Sequence, residues 1–136
     1  MKHTNRRRSR GQSMVEFALI APLFFAIIFG VMELGRLVWT HHELASGTRE
    51  GARFAMVRGS QSTTPLSGTS EIKQRILDRT TGLSSGPLSV SATGLGGEPG
   101  TTVTITSTYS YKPWVGIIPG LKNLKISSTS RVTIQH

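Results

Sequence analysis

Few side chains in this sequence could do chemistry. Seven acidic residues and four histidines are the groups best placed for acid–base work near neutral pH. No cysteine is present, which excludes thiol nucleophiles, thiolate metal sites and disulfides and suits an exported protein. His41 and His42 are adjacent and cannot share one helix face, so they make a poor metal pair. His3 lies in a basic leader and His136 is terminal. No serine belongs to a local Ser/His/Asp motif, and Gly94-Leu95-Gly96-Gly97 precedes no helix, so it reads as a hairpin turn and not a phosphate cradle. The pattern predicts no catalytic residue, no metal, no cofactor and no small-molecule substrate. Two carboxylates stand out, Glu16 and Glu33, because both sit in or beside a membrane-length apolar run. A carboxylate costs up to about 2.5–3.5 kcal/mol at the centre of a bilayer and usually has a partner. For Glu33 the expected partner is Arg36, three residues on along one helix face and near the outer boundary. Glu16 could pair with an amine. It also forms an S-x-x-E capping box with Ser13, in which each side chain satisfies the other residue's amide.

The element that must position both carboxylates is one helix. No charge occurs from Phe17 to Met32, and with Glu33 and Arg36 tolerated the apolar character runs to Trp39. From Phe17 to Thr40, at about 1.5 Å per residue, the span is on the order of 36 Å, enough to cross a hydrocarbon core of about 30 Å with some tilt. Trp39 falls where an interfacial aromatic is expected. Five basic residues, Lys2, Arg6, Arg7, Arg8 and Arg10, precede Gly11 with no acid among them. Of the formal net charge of +9, the residues beyond Gly11 carry eleven basic against seven acidic groups, an excess of four. The charge is therefore mostly a leader property. It predicts an N-terminus held in the cytoplasm and a C-terminal part sent across the membrane, in preference to contact with nucleic acid. The run exceeds the usual signal-peptide core of about 7–15 residues, no A-x-A site occurs, and the nearest small-x-small site, Ala45-Ser46-Gly47, lies past its end. Ordinary signal-peptidase cleavage is disfavoured.

Ala18, Pro22, Ala26 and Gly30 recur every four residues and form a ridge of small side chains, the kind that lets helix backbones approach closely in lipid. Pro22 removes the hydrogen bond to the Ala18 carbonyl and is expected to kink the helix. Beyond the membrane, Leu37, Leu44, Gly47, Gly51, Phe54 and Ala55 fall near one face. Gly47, Gly51 and Ala55 repeat the small spacing, leaving room for another segment. One helix is predicted from about Ser13 to Val57, ended by Gly59, with Gly47 the other place where it could stop.

The remainder reads as a small α+β unit with a thin core. Residues 60–69 form a Ser/Thr/Gly loop. Ser70 caps a predicted short helix from Glu71 to about Thr81, with Ile72, Ile76 and Thr80 on one side and Gly82 at its end. The period then becomes two. Leu88, Val90 and Ala92 alternate with hydroxyl residues, as do Val103, Ile105, Ser107, Tyr109 and Tyr111, while Leu124, Ile126, Val132 and Ile134 supply a third strand. Three antiparallel strands packed on the long helix would bury one face and leave a Thr/Ser face in water, open to glycosylation. Lys112 to Gly120 is an apolar loop that must be covered by the membrane surface, the chain's own helix or a partner.

Gly11 followed by four residues and then Glu16-Phe17, behind a basic leader and ahead of an apolar helix, resembles the processing site of type IVb prepilins. The run from Gly11 to Pro22, with Glu50-Gly51-Ala52-Arg53 later, resembles the TadE/TadG-type pseudopilins of the tight-adherence pilus system. The resemblance covers roughly residues 6–58. It implies that a membrane prepilin peptidase cuts between Gly11 and Gln12 on the cytoplasmic side. It also implies that Glu16, fifth in the mature chain and followed by Phe17, neutralises a protomer's new N-terminal amine in storage or assembly. Glycine suits the site because the peptide must lie extended in a narrow cleft.

The expected organisation is a leader over 1–11, a long helix over 12–58 with a membrane segment at about 17–40, and a small α+β domain over 59–136. The expected function is that of a minor pilin in pilus assembly, resident in the inner or cytoplasmic membrane. Its partners would be the peptidase and other pilin or pseudopilin subunits, with no nucleic acid, and its outer domain periplasmic or extracellular. Two alternatives predict different behaviour. An uncleaved signal-anchored protein with an outer ligand-binding domain keeps its N-terminus, and a basic nucleic-acid binder is soluble and salt-sensitive.

Overall fold

The computed structural model describes residues 6–114 and 124–135, with only the backbone of 6–10. The leader before Arg6, the apolar loop from Val115 to Gly120 and His136 lie outside the described residues. The long helix α1 runs Arg6–Met56, about 76 Å for its 51 residues at about 1.5 Å per residue. It continues through Pro22 and through Gly47, so neither ends it. Its beginning differs from the expectation. Ser13 lies inside the helix and does not cap it, because the arginine-rich residues before it are good helix formers and nothing but Gly11 opposes them.

The end of α1 falls one residue short of Val57, for a different reason from the one expected. Gly59 is not among the glycines with positive φ, so no left-handed cap closes the helix. Instead the Arg58 amide turns back to the Ala55 carbonyl at 3.2 Å, and the Met56 carbonyl accepts from the Gln135 amide at 3.1 Å. The chain's last described residues thus close its first element.

The short helix α2 (Ser70–Arg79) starts with Ser70 inside it. Thr69 stands at the N-cap with no side-chain cap bond. Ile72 and Ile76 are buried, and Thr80 is buried just beyond the last turn, with Oγ1 bonded to the Ile76 carbonyl at 2.9 Å. The strands β1 (Leu88–Thr93), β2 (Thr102–Tyr111) and β3 (Leu124–Thr133) form one antiparallel sheet in the order β1-β2-β3. Register runs from Leu88↔Tyr109 to Thr93↔Thr104 and from Thr102↔Thr133 to Tyr111↔Leu124.

The fold is α+β, as the alternation implied. α1 packs against α2, β2 and β3, and the inward positions Val103, Ile105 and Ile126 meet Leu44, Ala52, Ala55, Ile72 and Ile76 in one core. Two buried polar residues of α1, Thr40 and Thr48, fold their hydroxyls onto the Arg36 and Leu44 carbonyls at 2.8 and 2.6 Å, which is how a helix face can bury threonine.

α1 and α2 meet through glycine. A Cβ added at Gly47 would lie 2.6 Å from Thr80 Cγ2 and 2.9 Å from Ile76 Cγ2. One added at Gly51 would lie 3.0 Å from Ile72 Cγ2. The second small stripe of α1 is therefore filled by the chain's own α2.

Candidate functional site

The head of α1 is bare. From Gly11 to Met32 no side chain is buried, and nothing approaches within 4 Å of a Cβ placed at Gly11 or Gly30. Gln12, Glu16, Phe17, Ala18, Pro22 and Ala26 are exposed. Among the described residues the small ridge of Ala18, Pro22, Ala26 and Gly30 thus stays unburied, unlike the ridge of Gly47, Gly51 and Ala55. Gln12 Nε2 donates to Glu16 Oε1 at 3.1 Å, one turn apart. Side chains on a helix tilt toward its N-terminus, so the Glu16 carboxylate leans toward residue 12. Phe24, Phe25 and Phe29 touch one another along this stretch, with the Phe25 and Phe29 rings stacked 6.3 Å apart.

The first buried residue along α1 is Glu33, and here the sheet comes back to the helix. Glu33 accepts a short hydrogen bond from the Tyr111 hydroxyl, and its Oε2 accepts from the Trp114 backbone amide at 3.3 Å. Arg36 stands 3.6 Å from Glu33 Oε1 through Nη1, as the i, i+3 spacing anticipated. Arg36 also does more. Its Nη2 donates to the Lys112 carbonyl at 2.7 Å, and its guanidinium lies over the rings of Tyr111 and Trp114, 4.8 and 4.4 Å from their centroids. Burial, and then the bond to Glu33, push the Tyr111 phenol up from 10.0 to about 12. The hydroxyl therefore stays protonated and donating at any physiological pH.

Sequence reasoning found Glu33 and Arg36 but missed Tyr111 and Trp114 as their partners. One signal was available, since Tyr111 sits at an inward position of the strand alternation and a buried tyrosine hydroxyl needs an acceptor. The contact also divides the apolar run. Up to Met32 the helix has no buried side chain among the described residues, a length of roughly 33 Å from Gly11 at about 1.5 Å per residue. Past Glu33 one side is covered by the sheet.

The Glu50-Gly51-Ala52-Arg53 element lies where α1 meets α2. Gly51 and Ala52 are buried, Glu50 pairs with Arg75 of α2 at 3.4 Å, and Arg53 points to solvent. Nearby Arg58 binds Glu71 at 2.9 Å and stacks over Phe54 at 4.1 Å. His41 and His42 are both exposed.

Residues 11–53 match the model of a protein family described as TadE-like protein. This segment is similar to that family. The match begins at the bare head of α1 and ends within its buried outer part, so the TadE-like region is this one helix, and α2 and the sheet lie beyond it. Comparison with curated proteins and with solved structures returns no match. The TadE-like helix also contains the one stretch among the described residues long and apolar enough to cross a membrane, consistent with a single-pass membrane protein.

Proposed function

We propose that the chain is a minor pilin or pseudopilin of a tight-adherence, type IVb pilus, a structural subunit and not an enzyme. In this reading prepilin peptidase processes it after Gly11, and it then acts in pilus assembly beside other pilin subunits. The observation that carries the proposal is that the TadE-like match begins at Gly11 on a helix whose next roughly 33 Å, through Met32, carries no buried side chain among the described residues. That bare length suits a bilayer core of about 30 Å, with Glu33 marking the outer boundary and the folded domain beyond it on the side opposite the basic leader.

Gly11 lies within helix, while a peptidase must take its substrate extended. Glycine costs a helix roughly 1 kcal/mol, so Gly11 is a favourable point to unwind. After the cut, Gln12 would carry the new amine one turn from Glu16. Glu33 is already held by Tyr111, Trp114 and Arg36, which leaves Glu16 as the carboxylate suited to an amine at the membrane entrance, in its own chain or a neighbouring one.

The test is N-terminal mass spectrometry of protein from membrane and sheared-pilus fractions of a host that contains its peptidase. Chains beginning at Gln12 are expected. Recovery of the intact leader there overturns the proposal and favours the uncleaved anchor. Gly11→Leu should block processing, and unchanged cleavage would point to another protease. Glu16→Ala should be processed normally yet be depleted from sheared pili. Normal incorporation would remove the amine-pairing role from Glu16.

A further inference from the structure

Directly outside the membrane boundary the described residues line an open groove of about 1330 Å³. Its walls carry Arg36, Lys112 and Lys125 as cations and Trp39, Tyr111 and Trp114 as aromatics. Glu33 offsets the charge of Arg36, and the positive excess of the groove comes from Lys112 and Lys125. Arg36 Nη1 is buried and faces Glu33 Oε1 at 3.6 Å, beyond hydrogen-bond distance, while Lys112 and Lys125 are exposed. We infer that this groove binds the phosphodiester headgroup of an anionic phospholipid, in the leaflet on the side of the folded domain.

Two observations select a lipid. The first is depth. Arg36 lies about 6 Å beyond Met32 along the axis and Trp39 about 10 Å, at about 1.5 Å per residue. The headgroup layer of one leaflet is roughly 5–8 Å deep. Helical side chains tilt toward the N-terminus, which here is the membrane side, so both reach back into that layer. The second is chemistry. A half-buried guanidinium and two exposed ammonium groups lining one groove suit a phosphate, and amphipathic tryptophans suit the interface where its glycerol backbone sits. Trp39 is held in place by Gly82, which has φ of +83°. A Cβ on Gly82 would come 2.8 Å from the indole, so the loop can approach the ring only as glycine. The inference rests on the membrane placement proposed above.

Both tryptophans of the chain lie at this groove, so their fluorescence reports on it. The full chain is reconstituted in phosphatidylcholine vesicles containing a minority of phosphatidylglycerol, with bromine quencher on one lipid or the other. At equal mole fraction brominated phosphatidylglycerol should quench more strongly than brominated phosphatidylcholine. Each of Lys112→Gln and Lys125→Gln should lower that preference by up to about fivefold. Arg131→Gln, at the far end of β3, should leave it intact. Equal quenching by the two lipids keeps the membrane placement and overturns the headgroup site. Loss of preference in Arg131→Gln as large as in the lysine variants also overturns it, since diffuse charge would then suffice. Abolition by inorganic phosphate in the buffer overturns it in favour of a free-anion site. No quenching by either lipid overturns both the placement and the site.

Discussion

Gly47→Leu is expected to lower the stability of the folded domain by about 3 kcal/mol, the upper end of what overpacking usually costs. Gly47 lies in mid-helix, where propensity alone would favour the replacement by close to 1 kcal/mol. Packing overrides that gain. The first atom of any side chain would sit 2.6 Å from Thr80 Cγ2 and 2.9 Å from Ile76 Cγ2, and 3.3 Å from the Ile76 carbonyl oxygen. Thr80 and Ile76 are β-branched, so their methyls cannot swing aside without leaving a rotamer. The remaining way to make room is to move α2 off α1, which would open the core around Ile72 and Ile76 and strain the pairing of Glu50 with Arg75. Gly35→Leu is the matched control. Gly35 belongs to the same helix, is exposed, and has nothing within 4 Å of a Cβ. That variant should be as stable as the parent or slightly more so. Denaturant unfolding in micelles, followed by near-ultraviolet dichroism, separates the two. Equal effects at both sites would mean that α2 is not seated on Gly47.

Periodicity carried most of this fold because each element buries one face. Ile72 and Ile76 in α2, and Val103 and Ile105 in β2, sit where a period of about four or of two places them. The head of α1 was legible for another reason. A basic leader, Gly11, Glu16 and a run without charge are local features that need no tertiary contact to be recognised. What stayed hidden depends on sequence-distant contact. Nothing near Met56 announces that Gln135 will close its helix, and Ser13 and Thr69 are both good helix caps in sequence although Ser13 lies inside its helix and Thr69 makes no side-chain cap bond. Glu33 was read from its i, i+3 neighbour because that partner is close in sequence. Tyr111 is 78 positions away and reaches Glu33 only once β2 has docked.

Glu33→Ala is expected to cost about 3 kcal/mol, toward the low end for breaking a buried charged pair because the Arg36 side chain keeps 27% exposure. Most of the loss comes from what is left behind. Without the carboxylate, the Tyr111 hydroxyl, the Trp114 amide and the partly buried Arg36 guanidinium lose their common acceptor. Glu33→Gln should cost less, because its amide oxygen still accepts from Tyr111, while the charge facing Arg36 and the acceptor of the Trp114 amide are lost. Tyr111→Phe should cost about 1.5–3 kcal/mol, the range for a hydrogen bond to a charged group. The double variant Glu33→Ala/Tyr111→Phe should then be less destabilised than the two single losses together, since each change removes the same bond. Hydrogen exchange supplies the spatial reading. In Glu33→Ala the amides at the Tyr111 end of β2 should exchange faster, while those paired near Thr102 should not. Full additivity, or a uniform rise along β2, would show that Glu33 does not pin the strand. The expected pattern follows from where the charge sits. Glu33 is the first buried residue along α1 after the bare stretch, and the bonds it makes there fix how close the sheet stands to the end of that stretch.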